Sequence, residues 1–346
     1  MNRVEKLQND IAENEAILIS GYPNIFYYSG FTSEDAYLLI SQDEKYIITD
    51  SRYFTQAKLQ AENFALYDIT KDLNELILSI PQKNIWYEEE FLTAKEYNKL
   101  LKTSKDFLPK QTEISKYRQI KSSDEIKKIK NAEELGCEAF LDTIKYIKAG
   151  VSEKEIAFRI EMYMRKNGAS GLSFDTIVAS GKRSAMPHGV ASDKIIENGD
   201  LVTVDFGCVL DGYCSDMTRT VGVGNISAKA KEIYNTVLLA QNSALDAITA
   251  GKKLSDIDKA ARDIICDVGY GKNFGHALGH SVGIEIHENP CFSPKSTGYI
   301  ENGNVISVEP GIYIEDFCGV RIEDLVAIID GKCEILSKIS KDLIIL

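Results

Sequence analysis

Short apolar runs alternate with segments of helical spacing through the first third of the chain. Five runs have the length and the β-branched or aromatic content of strands: 16–20, 36–41, 45–50, 63–70 and 84–88. The second and third are separated by the polar residues 42–44, which predicts a hairpin. Between the runs, apolar residues recur at helical spacing over 51–62, 72–79 and 93–103. This alternation of strands and helices predicts a small α/β domain over residues 1–121.

A second domain is predicted over residues 122–346, where helices and hairpins are mixed. Ser122 and Glu125 have capping-box spacing, so a helix begins there and can run to Gly150. Ser152 and Glu155 repeat the spacing, and that helix is expected to stop at the Asn-Gly pair at 167–168. Further strands are predicted at 175–179, 201–209, 216–223, 282–286, 304–308, 310–314 and 320–329, and further helices near 227–249 and 254–268. The predicted class is α+β.

Composition excludes several kinds of function. The chain has 346 residues and a formal net charge of −12, and no basic stripe is visible, so binding to nucleic acid is not expected. No apolar run approaches the length of a membrane span, and the N-terminal segment is too charged for a signal peptide. The seven cysteines are scattered and include no CxxC pair, as is common in a reducing compartment. A cytoplasmic protein that binds neither nucleic acid nor membrane is predicted.

Two aspartates are predicted to lie close together on one hairpin. Apolar residues alternate along 201–207, so Asp205 points to the opposite face of its strand. A hairpin folded about 210–211 places Asp216 opposite Asp205, and moving the turn by one residue shifts the pairing by two and keeps the same face. Like charges at facing positions repel each other, and cations between them would remove that penalty.

Two glutamates repeat this arrangement near the C-terminus. Glu309 directly follows the predicted strand at 304–308 and precedes Pro310, and Glu323 lies on the next strand, where it shares a face with Arg321. A hairpin folded about Asp316 places Glu323 opposite Glu309. Two pairs of facing acids in one region predict a binding site for cations.

All four histidines lie in the same region as these acids, at positions 188, 276, 280 and 287. His276 and His280 are four residues apart, but the glycines at 275, 279 and 283 disfavour a helix there. Four carboxylates with one or two imidazoles form an oxygen-rich ligand set that suits manganese or cobalt better than thiolate-bound zinc. Four negative charges also balance two divalent ions, the arrangement that many hydrolases use.

The motifs VDFG and DMTR, HALGHSVGIEIHE, SVEPGIY and RIED follow one another in the second domain. This part of the chain resembles the pita-bread metallopeptidases, which include methionine aminopeptidase, aminopeptidase P and Xaa-Pro dipeptidase (prolidase). The segments NIFYYSGF at 24–31 and TDSRY at 49–53 resemble the N-terminal domain that aminopeptidase P and prolidase share with creatinase, and which methionine aminopeptidases lack. The resemblance implies a creatinase-like α/β domain before a pita-bread domain, whose antiparallel sheet is covered by helices.

The resemblance also implies the roles of individual residues. It implies five metal ligands: Asp205, Asp216, His280, Glu309 and Glu323. Glu309 would in addition be the general base, His188 would contact the nitrogen of the scissile bond, and His287 would hydrogen-bond the substrate carbonyl. Three further groups would support the site: His276, Arg321 and Tyr313. The implied cofactors are two divalent ions, with manganese expected and cobalt or zinc as alternatives.

The implied activity is removal of an N-terminal residue that precedes proline, with a hydroxide that bridges the two ions as the nucleophile. The first expectation is an Xaa-Pro aminopeptidase, because dipeptidases of the family often carry an arginine after the HExP segment, where this chain has Cys291. The alternative is an Xaa-Pro dipeptidase in which Arg183, Arg321 or a group of the N-terminal domain binds the carboxylate of the dipeptide. A metal-free creatinase-like hydrolase and a non-catalytic binding protein are further alternatives. Proline-containing peptides are the expected substrates, and a homodimer is the expected assembly.

Overall fold

A computed structural model describes residues 3–346 and divides the chain into a first unit that ends at Arg118 and a second that runs from Gln119 to Leu346. Among the described residues, no helix is both long enough and apolar enough to cross a bilayer. The family of folds expected from the resemblance is confirmed: each unit mixes helices with sheets, and the second is built on antiparallel strands.

The first unit is a six-stranded mixed sheet with helices. Its strands, in chain order, are β1 (Glu15–Ile19), β2 (Tyr37–Ile40), β3 (Lys45–Thr49), β4 (Ala65–Asp68), β5 (Asn84–Tyr87) and β6 (Asp106–Pro109). Its helices are α1 (Arg3–Asp10), α2 (Tyr22–Ser29), α3 (Phe54–Gln60), α4 (Leu73–Ser79), α5 (Ala94–Leu100) and α6 (Gln111–Ser115). The strand order is β4-β3-β2-β1-β5-β6, and β2 and β3 form the predicted antiparallel hairpin.

The sequence patterns missed α1, α2, α6 and β6 in this unit. Helix α2 is buried on most of its surface, so its apolar residues do not follow the one-sided period of an amphipathic helix. Strand β6 is a four-residue edge strand with exposed ends, which is too short for an alternation to be recognised.

The second unit contains four long helices and many short strands. The helices are α7 (Ser123–Thr143), α8 (Glu153–Lys166), α9 (Ala228–Ala247) and α10 (Leu254–Asp267). The strands up to residue 222 are β7 (Gly171–Leu172), β8 (Ile177–Ser180), β9 (Leu201–Phe206), β10 (Cys208–Leu210), β11 (Tyr213–Cys214) and β12 (Met217–Gly222). Those that follow α10 are β13 (Gly279–Ser281), β14 (Glu288–Phe292), β15 (Val305–Val308), β16 (Gly311–Ile314), β17 (Cys318–Arg321), β18 (Asp324–Ile329) and β19 (Lys332–Ile335).

Two pairs of helices cover the antiparallel sheets. Apolar residues of α7 and α8 pack against β8, β9 and β12, whereas α9 and α10 pack against β15, β17 and β18. On α9, Ile233, Val237, Ala240 and Ala244 form the buried stripe, with the spacing of one helix face. The polar side chains of the same strands point to the opposite face of the sheets, where a site can form.

Four predicted elements of this unit are corrected by the structure. The first is the strand at 201–209, which is divided into β9 and β10 of different sheets. The capping box of Ser122 and Glu125 is present, but α7 ends at Thr143, and a single 3₁₀ turn follows well before Gly150. The predicted strand at 282–286 is wrong, because the chain bends there and two backbone amides bind the Glu288 carboxylate instead of a neighbouring strand. The predicted strand at 320–329 is divided into β17 and β18, which pair with β16 and β15 respectively.

Candidate metal centre

The first pair of acids lies on the hairpin formed by β9 and β12. Its turn is at Asp211-Gly212, where both residues have positive φ (51° and 79°), as a two-residue hairpin turn of this kind requires. Asp205 is therefore paired with Thr218, two residues beyond Asp216. Because side chains alternate along a strand, this shift of two keeps both aspartates on the same face.

The second pair of acids has the predicted register. Val308 pairs with Asp324 and Gly311 with Arg321, so that Glu309 and Glu323 occupy corresponding positions between the two ladders. The amide of Glu323 donates to the Thr218 carbonyl oxygen (3.1 Å), and the Thr218 hydroxyl donates to Glu323 Oε2 (2.7 Å). Through Thr218 the second hairpin is joined directly to the first.

Three of the acids converge in the interior. Asp205, Asp216 and Glu323 each offer a carboxylate oxygen within 4.8 Å of the other two, although the residues are only 8%, 5% and 2% exposed. Burial, followed by repulsion from neighbouring carboxylates, holds the pKa of Asp216 and of Glu323 well above the ordinary value. Asp205 Oδ1 and Glu323 Oε1 are buried without a hydrogen-bond partner. Buried, unpaired oxygens of this kind fit the coordination of a cation.

His280 and Glu309 extend this cluster. His280 Nε2 lies 3.4 Å from Asp216 Oδ2 and 3.4 Å from Glu309 Oε1, while Nδ1 lies 3.2 Å from the Ser281 carbonyl oxygen. If Nδ1 donates to that carbonyl, the lone pair of Nε2 is free to bind a metal. Burial lowers the pKa of His280, which favours this neutral form. Four carboxylates and one imidazole are thus directed at one space, a donor set suited to hard divalent ions.

Glycine at 279 is required by the packing of this segment. A Cβ atom there would lie 1.8 Å from the Ser307 carbonyl oxygen on β15. The absence of a side chain therefore lets β13, with His280, pack directly against the strand that precedes Glu309. No helix forms over 274–281, as the glycines predicted.

A hydrogen-bonded chain links the other predicted residues to the cluster. Arg321 Nη2 donates to Asp205 Oδ2 (2.5 Å), and Arg321 Nη1 donates to the Tyr313 hydroxyl (2.7 Å). The same hydroxyl lies 3.1 Å from His276 Nε2. Burial raises the pKa of Tyr313 to about 12, so its phenol is neutral near neutral pH, and burial lowers the pKa of His276. The guanidinium of Arg321 is therefore occupied by Asp205 and Tyr313.

The remaining two histidines lie at the opening of a cavity of about 640 Å³, lined also by the five acidic and imidazole groups. Both His188 and His287 are exposed, and the ring of His287 lies 4.3 Å from that of His280, centroid to centroid. Partial desolvation of its ring lowers the pKa of His287, and the charges of His280 and His188 lower it further. Apolar residues form much of the wall: Phe174, Ile177, Pro187, Val190 and Ile286.

Several contributing residues were not predicted from the sequence. Ser307 donates to Glu309 Oε1 (3.0 Å), and Glu133 on α7 accepts the amide of Asp216 (3.2 Å). Ser307 and Thr218 each lie two residues from a predicted ligand, so the strand alternation could have identified them. Glu133 carried no such signal, because it is distant in sequence. Arg183, expected to be available to a substrate carboxylate, instead pairs with the buried Glu153.

Known proteins resemble the chain over nearly its whole length. Residues 127–330 match Metallopeptidase family M24, and residues 3–120 match the Creatinase/Prolidase N-terminal domain. An Xaa-Pro dipeptidase of Pyrococcus furiosus is 38% identical, over 99% of each chain. The structure of an Xaa-Pro dipeptidase from Bacillus anthracis (40% identity) covers 99% of both chains with a TM-score of 0.96. That of an X-Pro aminopeptidase from Thermotoga maritima (39% identity) covers 100% of both with a TM-score of 0.92.

Proposed function

The chain belongs to metallopeptidase family M24, in its proline-specific branch, and as a metallo-exopeptidase of that branch we propose that it hydrolyses Xaa-Pro dipeptides. The observation that carries the proposal is the buried cluster of Asp205, Asp216 and Glu323, with two unpaired oxygens at the base of a cavity with apolar walls. The relatives named Xaa-Pro dipeptidase favour this alternative over the aminopeptidase that was the first expectation.

The residues that would hold metal are the five that converge on the cavity: Asp205, Asp216, His280, Glu309 and Glu323. Members of the family use divalent ions, and the oxygen-rich donors support two ions, with manganese as the proposed species and cobalt or zinc as alternatives. When bound, such ions supply Lewis-acid activation of water and of a peptide carbonyl.

The chain's own side chains would handle protons and orient the substrate. Glu309 is partly buried, and desolvation raises the pKa of its carboxyl, which favours its acceptance of a proton as general base. The neutral imidazole of His287 would donate a hydrogen bond to the carbonyl oxygen before proline. His188, at the other side of the opening, would contact the imide nitrogen, which has no N–H of its own.

The cavity wall supports a proline residue in the substrate. Ile177, Pro187 and Val190 lie beside His188 and give the pyrrolidine ring an apolar surface. Arg321 and Tyr313 would act indirectly, because their hydrogen bonds hold Asp205 and His276 in place.

An Xaa-Pro aminopeptidase is the second candidate, and two observations favour it. A solved X-Pro aminopeptidase is 39% identical over the whole chain. Cys291 lines the cavity at the position where an arginine would bind a dipeptide carboxylate, and both Arg183 and Arg321 are occupied by internal partners. A longer peptide would need no such cation.

The test compares the protein, loaded with Mn²⁺, on Xaa-Pro and on Xaa-Pro-Xaa with the same first residue. We expect a higher kcat/KM on the dipeptide, and loss of activity on both substrates after exhaustive chelation. Cleavage of the tripeptide alone would contradict the dipeptidase proposal in favour of the aminopeptidase. Activity that survives chelation, or release of urea from creatine, would contradict both. Analytical ultracentrifugation of the same preparation would test the proposed homodimer.

A further inference from the structure

A fully buried glutamate outside the metal cluster binds both ends of one surface loop. Glu153, the first residue of α8, has a side chain that is 0% exposed. Its Oε1 accepts from the amide (2.7 Å) and hydroxyl (2.8 Å) of Ser180, and its Oε2 accepts from the amide (3.1 Å) and hydroxyl (2.6 Å) of Ser192. Ser180 ends β8, so this one carboxylate joins the two ends of the loop 181–191.

That loop carries His188, and Arg183 braces it from within. Arg183 Nη1 pairs with Glu153 Oε2, and its Nη2 donates to the Val190 carbonyl oxygen (2.9 Å), two residues beyond His188. On the other side of His188, the Pro187 carbonyl oxygen accepts from Arg321 Nη1 (3.2 Å). The backbone on both sides of an exposed histidine is therefore held by two arginines, the partly buried Arg183 and the buried Arg321.

The other histidine at the opening has the same kind of support. Glu288 Oε1 accepts from the amides of Ile284 (3.1 Å) and Glu285 (3.2 Å). Glu288, the residue directly after the loop 282–287, therefore binds the middle of that loop. Glu288 Oε2 pairs with Lys121 Nζ (3.0 Å), and the two side chains are 3% and 1% exposed. A Cβ atom on Gly283 would lie 2.5 Å from this carboxylate, so the loop is packed tightly around it.

We infer that Glu153 and Glu288 are positioning residues, each of which fixes one histidine of the opening, His188 and His287 respectively. The inference rests on the proposed function, in which those two histidines contact the substrate. Each glutamate makes several charge-assisted hydrogen bonds to the loop that carries its histidine, and each is paired with one cation. Buried, fully bonded carboxylates of this kind hold a loop in one conformation, since breaking any bond leaves an unsatisfied group.

Double-mutant cycles on kcat/KM separate positioning from a general structural role. We expect Glu153→Gln and Glu288→Gln each to lower kcat/KM by about 10- to 100-fold, the usual cost of a misplaced supporting group. The Glu153→Gln effect should nearly vanish in a His188→Ala background but persist in full in a His287→Ala background. Glu288→Gln should show the reverse, since its loss acts through His287. Glu155→Gln and Glu301→Gln, at exposed positions, are the matched controls and should change little.

A second measurement does not depend on activity. The chain has four histidines, so an NMR spectrum of the imidazole Cε1–H groups has four signals, which single His→Ala variants assign. Glu153→Gln should shift or broaden the His188 signal more than the His287 signal, and Glu288→Gln should do the opposite. Bound Mn²⁺ broadens signals, so the spectra are recorded on metal-free or Zn²⁺-loaded protein.

The inference would be overturned if each Gln substitution lowered kcat/KM by the same factor in the His188→Ala and the His287→Ala backgrounds. It would also be overturned if the Gln variants left the histidine signals unchanged. If a Gln variant fails to fold, Arg183→Met and Lys121→Met weaken the same two supports and should give the same pattern of coupling. A wild-type protein that cleaves no proline peptide would refute the proposed function, whereas the NMR comparison would still decide whether each glutamate fixes its histidine.

Discussion

The floor of the site and its rim are built by different means. The floor comprises Asp205, Asp216, His280, Glu309 and Glu323, which lie on or directly beside paired strands. The rim comprises His188 and His287, which lie on loops held by Glu153 and Glu288. Backbone ladders therefore place the proposed metal ligands, whereas buried side chains place the groups proposed to meet the substrate. Damage to the floor should remove metal binding, and damage to the rim should impair turnover while metal binding persists.

The largest expected effect is at the floor. Glu323→Gln should weaken the binding of divalent ions by more than about 100-fold, since loss of a group that only supports a ligand already costs about 10–100-fold. Peptide hydrolysis should be lost with it. Isothermal titration calorimetry with Mn²⁺ measures the affinity, and Glu301→Gln is an exposed control. If Glu323→Gln bound both ions as tightly as the wild type, damage to the floor would not remove metal binding, and the distinction between floor and rim would be wrong.

A change at the rim should have a smaller and more selective effect. His287→Ala removes the proposed hydrogen bond to the carbonyl oxygen and should lower kcat by about 100-fold, as loss of one such donor does. The stoichiometry for Mn²⁺ should be unchanged, and its affinity should fall far less than in Glu323→Gln, because His287 lies outside the proposed ligand set. Steady-state kinetics and calorimetry on the same sample provide the comparison. Loss of metal from this variant would assign His287 to the floor.

The floor should also show a distinct dependence of stability on pH. The pKa of Glu323 is raised in the folded metal-free protein, so the folded state binds this proton more tightly than the unfolded state does. Its contribution to stability is therefore present at low pH and is lost as the pH rises through the folded pKa. Compared with Glu323→Gln, the metal-free wild type should therefore lose stability as the pH rises above the ordinary pKa of a glutamate. Urea denaturation of both proteins with chelator measures the difference, and an opposite trend would contradict the raised pKa.

The smallest effect is expected at the start of α7. Ser122→Ala removes the capping box of α7, the helix that carries Glu133, and should cost about 1 kcal/mol of unfolding free energy. Metal affinity should be unchanged, because the contact of Glu133 with the Asp216 amide lies three turns away. Thr93→Ala, which removes the capping box of α5, is the matched control in the first unit. A lower Mn²⁺ affinity in Ser122→Ala alone would show that the floor depends on the start of α7.

The difference between ladders and loops also explains what the sequence could predict. The pairing of Glu309 with Glu323 followed from a hairpin folded about Asp316. At Asp216 the observed pairing is shifted by two residues from the predicted one, which leaves its side chain on the same face of the strand. The two-residue period determines which side chains share a face, so facing acids can be recognised without knowing the fold. The predicted capping box at Ser122 and the N-cap at Ser152 depend on similarly local rules.

The positions of the histidines could not be derived in this way. His280 lies in a glycine-rich segment whose path depends on close packing against Ser307, and His287 directly follows the segment 282–286, where a strand was wrongly predicted. Their roles came from the resemblance to a family rather than from spacing. Glu133, Glu153 and Glu288 act through contacts with residues that are mostly distant in sequence, and no local pattern separates them from the many solvated acids of the chain.

The hydrogen bond from the Glu323 amide to the Thr218 carbonyl oxygen joins two separate sheets, since β12 and β18 belong to different sheets. Each sheet contributes acids to the cluster, so an ion bound there would cross-link the two sheets. Transient separation of the sheets would then require release of the ion, which raises the free energy of opening. Amide hydrogen exchange at Glu323 should consequently slow on addition of metal far more than exchange within the sheet of the first unit.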